Sequence, residues 1–155
     1  MFRGVHEYLV DDKGRVAIPA RFREVLSGLQ DERLVVTKFK RRGRPCLDVY
    51  PVSTWLRLEE RISEEKVSSK RQFGKKMDIF ESWYVGAAQD VQIDGQGRML
   101  IPPTLRDWAG IGREVILAGQ TQKFRIWDKG TYLQVDREDE HQLFEDPEFL
   151  DELGL

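Results

Sequence analysis

"DDKGRVAIPARFR", residues 11–23, returns later in the chain as "DGQGRMLIPPTLR", residues 94–106. Asp11/Asp94, Gly14/Gly97, Arg15/Arg98, Ile18/Ile101, Pro19/Pro102 and Arg23/Arg106 are each 83 residues apart. The phrase reads as a tight turn, a short strand and a helix start. Asp11 and Asp12 suit the turn because their side chains accept local backbone N–H bonds, and Gly14 supplies positive φ without steric cost. Gly95 and Gly97 take that part in the second copy. Asp11 and Arg15 flank the turn, so carboxylate and guanidinium can close a latch across it, and Asp94 and Arg98 repeat the arrangement. Strand 5–10 followed by "DDKG" and strand 15–18 is expected to form a hairpin. Pro19 and Pro102 suit a first helical turn. Ala20–Leu26 then makes a short helix with Phe22 and either Val25 or Leu26 inward.

The duplication extends outward from this phrase. "VHEYLV" (5–10) answers "AAQDVQI" (87–93), and "RLVVTKF" (33–39) answers "EVILAGQ" (114–120). "CLDVYPVSTWL" (46–56) answers "KFRIWDKGTYL" (123–133), with Tyr50 and Trp127 equivalent and the offset reduced to 77 by the longer loop "KRRGRP" of the first copy. Each copy therefore reads strand, turn, strand, short helix, strand, turn, strand. Residues 52–82 separate the copies. Trp55, Leu58 and Ile62 fall on one helical face, as do Phe73, Met77 and Phe80, which predicts two linking helices. Residues 130–143 can form a helix equivalent to 53–66. The tail "EDPEFLDELGL" is a short terminal helix or a disordered segment. The expected organisation is a first repeat at 5–51, a helical linker at 52–87, a second repeat at 88–131, and a C-terminal helix with acidic tail at 132–155. One copy of about 45 residues buries too little apolar surface to stand alone. Two copies can share a core, so the expected fold is α+β with a mainly β core: a single pseudo-twofold β-barrel with helices packed on it.

Charge is unevenly distributed. The 155-residue chain carries a net −2, yet residues 1–44 sum to +5, residues 45–127 to +1 and residues 128–155 to −8. A basic front of this kind fits a polyanion-binding surface. The turns of the repeated phrase carry Lys13, Arg15 and Arg98, and arginine suits bidentate contact with phosphate or with guanine O6/N7. "KFKRRGR" (38–44), with five basic residues, either extends that surface or is a solvated loop tip. "SSKRQFGKK" (68–76) reads as the wet side of a linking helix. Arg23 and Arg106 read as structural. Trp55, Trp83, Trp108 and Trp127 read as core or interface anchors. The acidic tail could repel DNA, pack on a neighbouring subunit or bind a partner.

Enzymatic constellations are not legible. His6 and His141 lie far apart without metal-ligand spacing, and Cys46 has no histidine near it in sequence. One cysteine leaves no internal disulfide and no cysteine-based zinc site. There is no phosphate-loop motif, and "GQGRML" places Leu100 where a dinucleotide fingerprint would need its third glycine. The reading is of a non-enzyme needing no metal, no cofactor and no small-molecule substrate. Apolar runs are far too short to span a bilayer, and "MFRGVHEYLV" lacks a signal-peptide core, so a cytoplasmic chain without membrane attachment is expected.

"MFRG", the doubled D-x-x-x-R in "DDKGR" and "DGQGR", and the doubled "IPxxxR" closely resemble the MraZ family, tandem members of the AbrB/SpoVT-like swapped-hairpin group. The resemblance covers nearly the whole chain. It implies a swapped-hairpin β-barrel and a DNA-binding transcriptional regulator of the division and cell-wall gene cluster. It further implies repression of its own operon through direct repeats in double-stranded DNA, assembly into a closed homo-oligomeric ring, and a nucleoid-associated location. The family's D-x-x-x-R arginines fall on Arg15 and Arg98, their partners on Asp11 and Asp94, and its basic turn residue on Lys13. Gln96 stands at that position in the second copy, so the first turn is expected to carry more of the binding. Two rival readings remain open: an oligomeric protein-assembly module, and an AbrB-like antitoxin whose C-terminal segment wraps a toxin. The doubled repeat and the linker weigh against the antitoxin.

Overall fold

The computed structural model describes residues 1–68 and 74–155; Phe73, one of the apolar positions expected on the second linking helix, lies outside them, as does most of "SSKRQFGKK". The first copy comprises β1 (Val5–Leu9), β2 (Arg15–Ala17), α1 (Ala20–Gly28), β3 (Arg33–Arg41) and β4 (Arg44–Pro51). Helices α2 (Val52–Ser68) and α3 (Gly74–Phe80) follow, and α3 runs on into a π-helical turn at Glu81–Val85. The second copy comprises β5 (Gln89–Gln92), β6 (Arg98–Leu100), α4 (Pro103–Trp108), β7 (Glu114–Gly119) and β8 (Phe124–Asp128), followed by α5 (Lys129–Phe144) and α6 (Pro147–Glu152). The tail is thus helical, with the Asp146 carboxylate accepting from the Phe149 N–H at the start of α6. No described helix is long and apolar enough to cross a membrane.

Pairing interleaves the two copies. Among the described residues, six antiparallel strands run in the order β1-β7-β8-β4-β3-β5, and β2 and β6 pair as a separate two-stranded ribbon. The first strand of each copy therefore lies beside the third strand of the other, with His6 opposite Leu117 and Gln89 opposite Val36. This corrects the expected β1–β2 hairpin. The turn at 11–14 does close, through Asp11 N–H to the Arg15 carbonyl at 2.8 Å, but the two strands then diverge to partners in the second copy. It also corrects the closed barrel. The six-stranded sheet is open, with β1 and β5 as its edges, because the three-residue strands β2 and β6 are satisfied by each other and do not bridge those edges.

Alternation along the strands assigns the layers. Leu34, Val36, Leu47, Val49, Val115, Leu117, Phe124 and Ile126 point to one face of the sheet. There they meet Val16 and Met99 from the β2–β6 ribbon, Phe22 and Leu26 from α1, and Leu105 from α4. Of the two residues proposed to point inward from α1, Leu26 is the buried one and Val25 is half-buried. Phe2 sits in this core against Phe22 and Phe124, with ring centroids 5.3 and 5.4 Å away. Its backbone passes so close to Gly119 that a Cβ there would lie 2.5 Å from the Phe2 carbonyl oxygen, so "MFRG" clamps the β7–β8 end.

The opposite face is buried as well. Val35, Tyr50, Trp55 and Tyr84 pack under α2 and the π-helical turn; Cys46, Ile116, Trp127 and Val135 pack under α5. Tyr50–Trp55 and Trp127–Tyr132 are equivalent edge-to-face pairs at 5.2 and 6.3 Å, with the order of Tyr and Trp reversed. Burial on both faces explains why β4, β7 and β8 are nearly continuously apolar.

The register puts Val16 opposite Met99 and Asp48 opposite Arg125. Each of these pairs joins equivalent positions of the two copies, so both lie on the pseudo-twofold axis. Asp48 is fully buried in the seam between the two helical layers. It receives Arg125 Nε at 2.8 Å on one oxygen, and Lys123 Nζ at 2.8 Å and the Tyr84 hydroxyl on the other. Two identical chains would bring like charges together at this point, at a prohibitive desolvation cost. A tandem chain can place opposite charges there.

Candidate nucleic-acid interface

Each "D-x-x-x-R" turn is closed by the same set of bonds. The Asp11 carboxylate accepts the backbone N–H groups of Lys13 and Arg15, each at 2.9 Å, and Arg15 Nε at 2.9 Å. Asp94 does likewise with the N–H groups of Gln96 and Arg98 at 2.9 Å and Arg98 Nε at 3.0 Å. Bonds from the backbone of Arg15 and Arg98, above all, hold the two carboxyls below their ordinary range against the opposing pull of desolvation. Gly14 and Gly97 have φ of +84° and +74°, where a side chain would be strained. The aspartates therefore shape the turns and orient the arginines. Each arginine commits Nε to its latch, and among the described residues no hydrogen bond engages the Nη groups of Arg15.

The β2–β6 ribbon brings the two turns together. Val16 and Met99 point into the core, so Arg15, Ala17, Arg98 and Leu100 share the outer face. Arg15 lies opposite Leu100, and Ala17 opposite Arg98, which makes Arg15 and Arg98 diagonal neighbours with Cα atoms about 7–8 Å apart. Consistent with that closeness, Arg98 Nη1 stands 3.8 Å from the Asp11 carboxylate. Lys13 is exposed beside this face, and Leu100 is 43% exposed within it.

Arg23 and Arg106, read from sequence as an equivalent structural pair, differ. Arg106 donates to the Ile111 and Gly112 carbonyls at 3.1 and 3.0 Å, tying α4 to the loop after it. Helix α1 is longer than α4, and no such bond forms at Arg23 among the described residues. Its side chain lies over the second turn, with Nη1 2.9 Å from where a Gly97 Cβ would stand, and Arg106 lies less closely over the first, with Nη1 3.6 Å from where a Gly14 Cβ would stand. The sequence signal was available: the offset of 83 through the helices falls to 81 in the strands after them.

The basic stretch 38–44 is neither an open extension of this face nor a free loop tip. Lys38 Nζ is 4.7 Å from the centre of the Trp83 ring and 5.7 Å from that of Trp108. Arg41 and Arg42 pair with Asp139, and Arg44 with Glu138, at 2.8, 2.5 and 2.6 Å. Trp55 and Trp127 are core residues, and Trp83 and Trp108 are half-buried. Cys46 is buried, and burial foremost pushes its thiol up to about 12.

A family model described as "MraZ protein, putative antitoxin-like" matches residues 1–76 and 84–151. A protein named "Transcriptional regulator MraZ" from Acidithiobacillus ferrooxidans is 40% identical over 130 residues, covering 83% of each chain. One of the same name from Thioalkalivibrio sulfidiphilus is 40% identical over 134 residues, 86% of this chain and 84% of that one. Another, from Nitrosospira multiformis, is 41% identical over 128 residues, 83% and 82%. A solution structure of PHS018 from Pyrococcus horikoshii aligns with a TM-score of 0.34 at 15% identity, over 81% of this chain and 88% of that one. With both D-x-x-x-R turns built alike and the family model spanning both copies, this chain belongs to the MraZ family.

Proposed function

We propose that the chain is a sequence-specific DNA-binding transcriptional regulator that reads double-stranded DNA with the outer face of the β2–β6 ribbon. The observation that carries this reading is the diagonal pair Arg15 and Arg98, half-buried and held by matching latches on the outer face of one ribbon, with the exposed Lys13 beside them. Phosphate contacts supply affinity with a log–log salt slope of about −0.9 per phosphate neutralised. Arginine at a base edge supplies about 1–3 kcal/mol of discrimination per bidentate pair. The latch spends one donor of each guanidinium on orientation and leaves a pre-organised fork for the DNA. Arg23 over the second turn and Arg106 over the first each add a cation beside the ribbon. The first turn still presents Lys13 at its tip, so it carries the larger share.

The interleaved pairing supports a swapped-hairpin architecture in which the repeats at 5–51 and 88–131 form one reading unit, joined by the linker at 52–87. The relatives' names support a role in transcription, and the family resemblance supports repression of the chain's own operon in the division and cell-wall cluster, in the cytoplasm at the nucleoid. A ring of subunits presents the ribbon repeatedly to direct repeats and raises apparent affinity through effective concentration. The open edge strand β1, with Val5 and Leu9 each 56% exposed, supports an assembly contact there.

The test is a mobility-shift titration on the chain's own upstream region, against random duplex, at two salt concentrations. Arg15→Ala and Arg98→Ala are expected to weaken binding and flatten the salt dependence, Arg15→Ala more. Folded, assembled variants that bind as tightly as wild type would overturn the site. Equal wild-type affinity for random duplex would overturn sequence-specific regulation.

A further inference from the structure

The basic stretch 38–44 forms the tip of the β3–β4 hairpin, where Arg42 and Gly43 adopt φ of +52° and +73° to make the turn. Arg41, Arg42 and Arg44 fan out from that tip and each meets α5. Arg42 also reaches the Gln142 side-chain oxygen. Asp139 is held below its ordinary carboxylate range: burial pushes it up, but the bonds from Arg42 and Arg41 outweigh that. Glu138 is lowered chiefly by its bond from Arg44. Three arginines sit within four residues, and every one is covered by an acidic helix belonging to the segment that carries −8.

Position makes this cover more than incidental. The second turn follows β5, whose Gln92 lies opposite Arg33 at the start of β3; the hairpin tip is at the other end of the same strand. Nine residues at about 3.3 Å each separate the ribbon's end of the molecule from the arginine tip by about 30 Å. An uncovered tip would attract duplex to the wrong end of the molecule, with no latch to orient its arginines and no ribbon beside it. The covering ion pairs are all partly solvent-exposed, in the class worth about 0.2–1 kcal/mol each. Phosphates at DNA charge density can compete with bonds of that strength.

We propose that the β3–β4 tip is a second duplex-phosphate-binding surface, and that the carboxylates of α5 hold it closed so that DNA is directed to the ribbon. This rests on the DNA-binding reading given above. Glu138 and Asp139 are the cover, Arg41, Arg42 and Arg44 the surface beneath it, and sequence-independent duplex backbone the ligand. Opening it adds affinity without adding specificity.

The test is fluorescence polarisation of the intact chain on random and upstream duplexes across about 50–200 mM salt. Glu138→Gln with Asp139→Asn is expected to tighten binding to random duplex and to steepen the salt slope by about 2–3, one step per arginine released. Over that fourfold salt range, three extra contacts increase the affinity lost by about 40-fold. Adding Arg41→Gln, Arg42→Gln and Arg44→Gln to that variant returns the slope to wild type. A control of equal charge change on α6, Glu148→Gln with Asp151→Asn, leaves the slope unchanged. In the wild-type background the three arginine substitutions also leave it unchanged; if the double α5 variant does not fold, Asp139→Asn alone, which releases Arg41 and Arg42, is expected to steepen the slope by about 2. An α5 variant with the wild-type slope, a control that steepens equally, or arginine substitutions that flatten the wild-type slope would each overturn the proposal. Arg15→Ala with Arg98→Ala separates the two readings. If it weakens upstream binding while the α5 variant changes nothing, only the cover is wrong; if it has no effect, the ribbon reading fails on its own.

Discussion

Asp48→Asn removes the negative charge on which the seam between the helical layers depends. Asparagine has nearly the shape of aspartate, so no cavity opens and the effect is electrostatic. Asp48 has no solvent exposure, and the side chains of Arg125 and Lys123 are 10% and 19% exposed. After substitution, Arg125 is a buried cation without a counter-ion, and the new amide N–H groups face Arg125 or Lys123, which are themselves donors only. Breaking a buried pair in this way costs about 3–5 kcal/mol. For a chain of 155 residues, at about 2–4 °C per kcal/mol, the melting temperature falls by about 6–20 °C. Urea unfolding followed by circular dichroism, at fixed protein concentration, measures the loss. Arg125→Met leaves Asp48 with Lys123 as its one paired cation, beside the Tyr84 hydroxyl, and should also be costly. Asp48→Asn with Arg125→Met removes both charges, and the loss should fall short of the sum of the singles by about 1.5–3 kcal/mol. A single-variant loss below about 1 kcal/mol, or strict additivity, would refute the claim that the two copies are locked by opposite charges on their axis.

Gly97→Ala should cost more than Gly14→Ala in thermal unfolding. Both positions have positive φ, at about 1–2 kcal/mol of strain, but only at Gly97 must the new methyl also displace an arginine, Arg23. The folded-state pKa values of Asp11 and Asp94 lie below the ordinary 3.8, so the latches contribute fully above about that pH and their contribution is lost as pH falls through the lowered values. Carboxyl NMR titration should show both groups titrating below 3.8, and Asp11→Asn should remove its own low transition while leaving that of Asp94. Cys46, fully buried with its thiol raised to about 12, should resist iodoacetamide at pH 8 in the native state and react only on unfolding; rapid native labelling would contradict its burial.

The duplication, the element order, and the turn chemistry of Asp11–Gly14–Arg15 and Asp94–Gly97–Arg98 were legible in the sequence because they are local. Side-chain bonds two and four residues away, a glycine at positive φ and period-two alternation all act within a few positions. The candidate arginines were legible for the same reason, since each is held by an aspartate four residues before it. Strand partnership was not local. β1 and β2 are separated by only five residues, yet they pair with β7 and β6, because exchange between the copies lets one sheet bury one face on α1, α4 and the β2–β6 ribbon and the other under α2 and α5. The masking of Arg41, Arg42 and Arg44 by a helix nearly 100 residues later was invisible for that reason, and net charge by segment could only hint at it. The freedom of Arg23 follows from two extra residues in the first copy, whose consequence depends on where the neighbouring turn lies. The opposition of Asp48 and Arg125 is the clearest case. Each is an unremarked residue in its own strand, and only closure of the pseudo-twofold places one on the other. Short-range bonding set the parts; burial of two shared faces set their partners, and with them the charge at the centre.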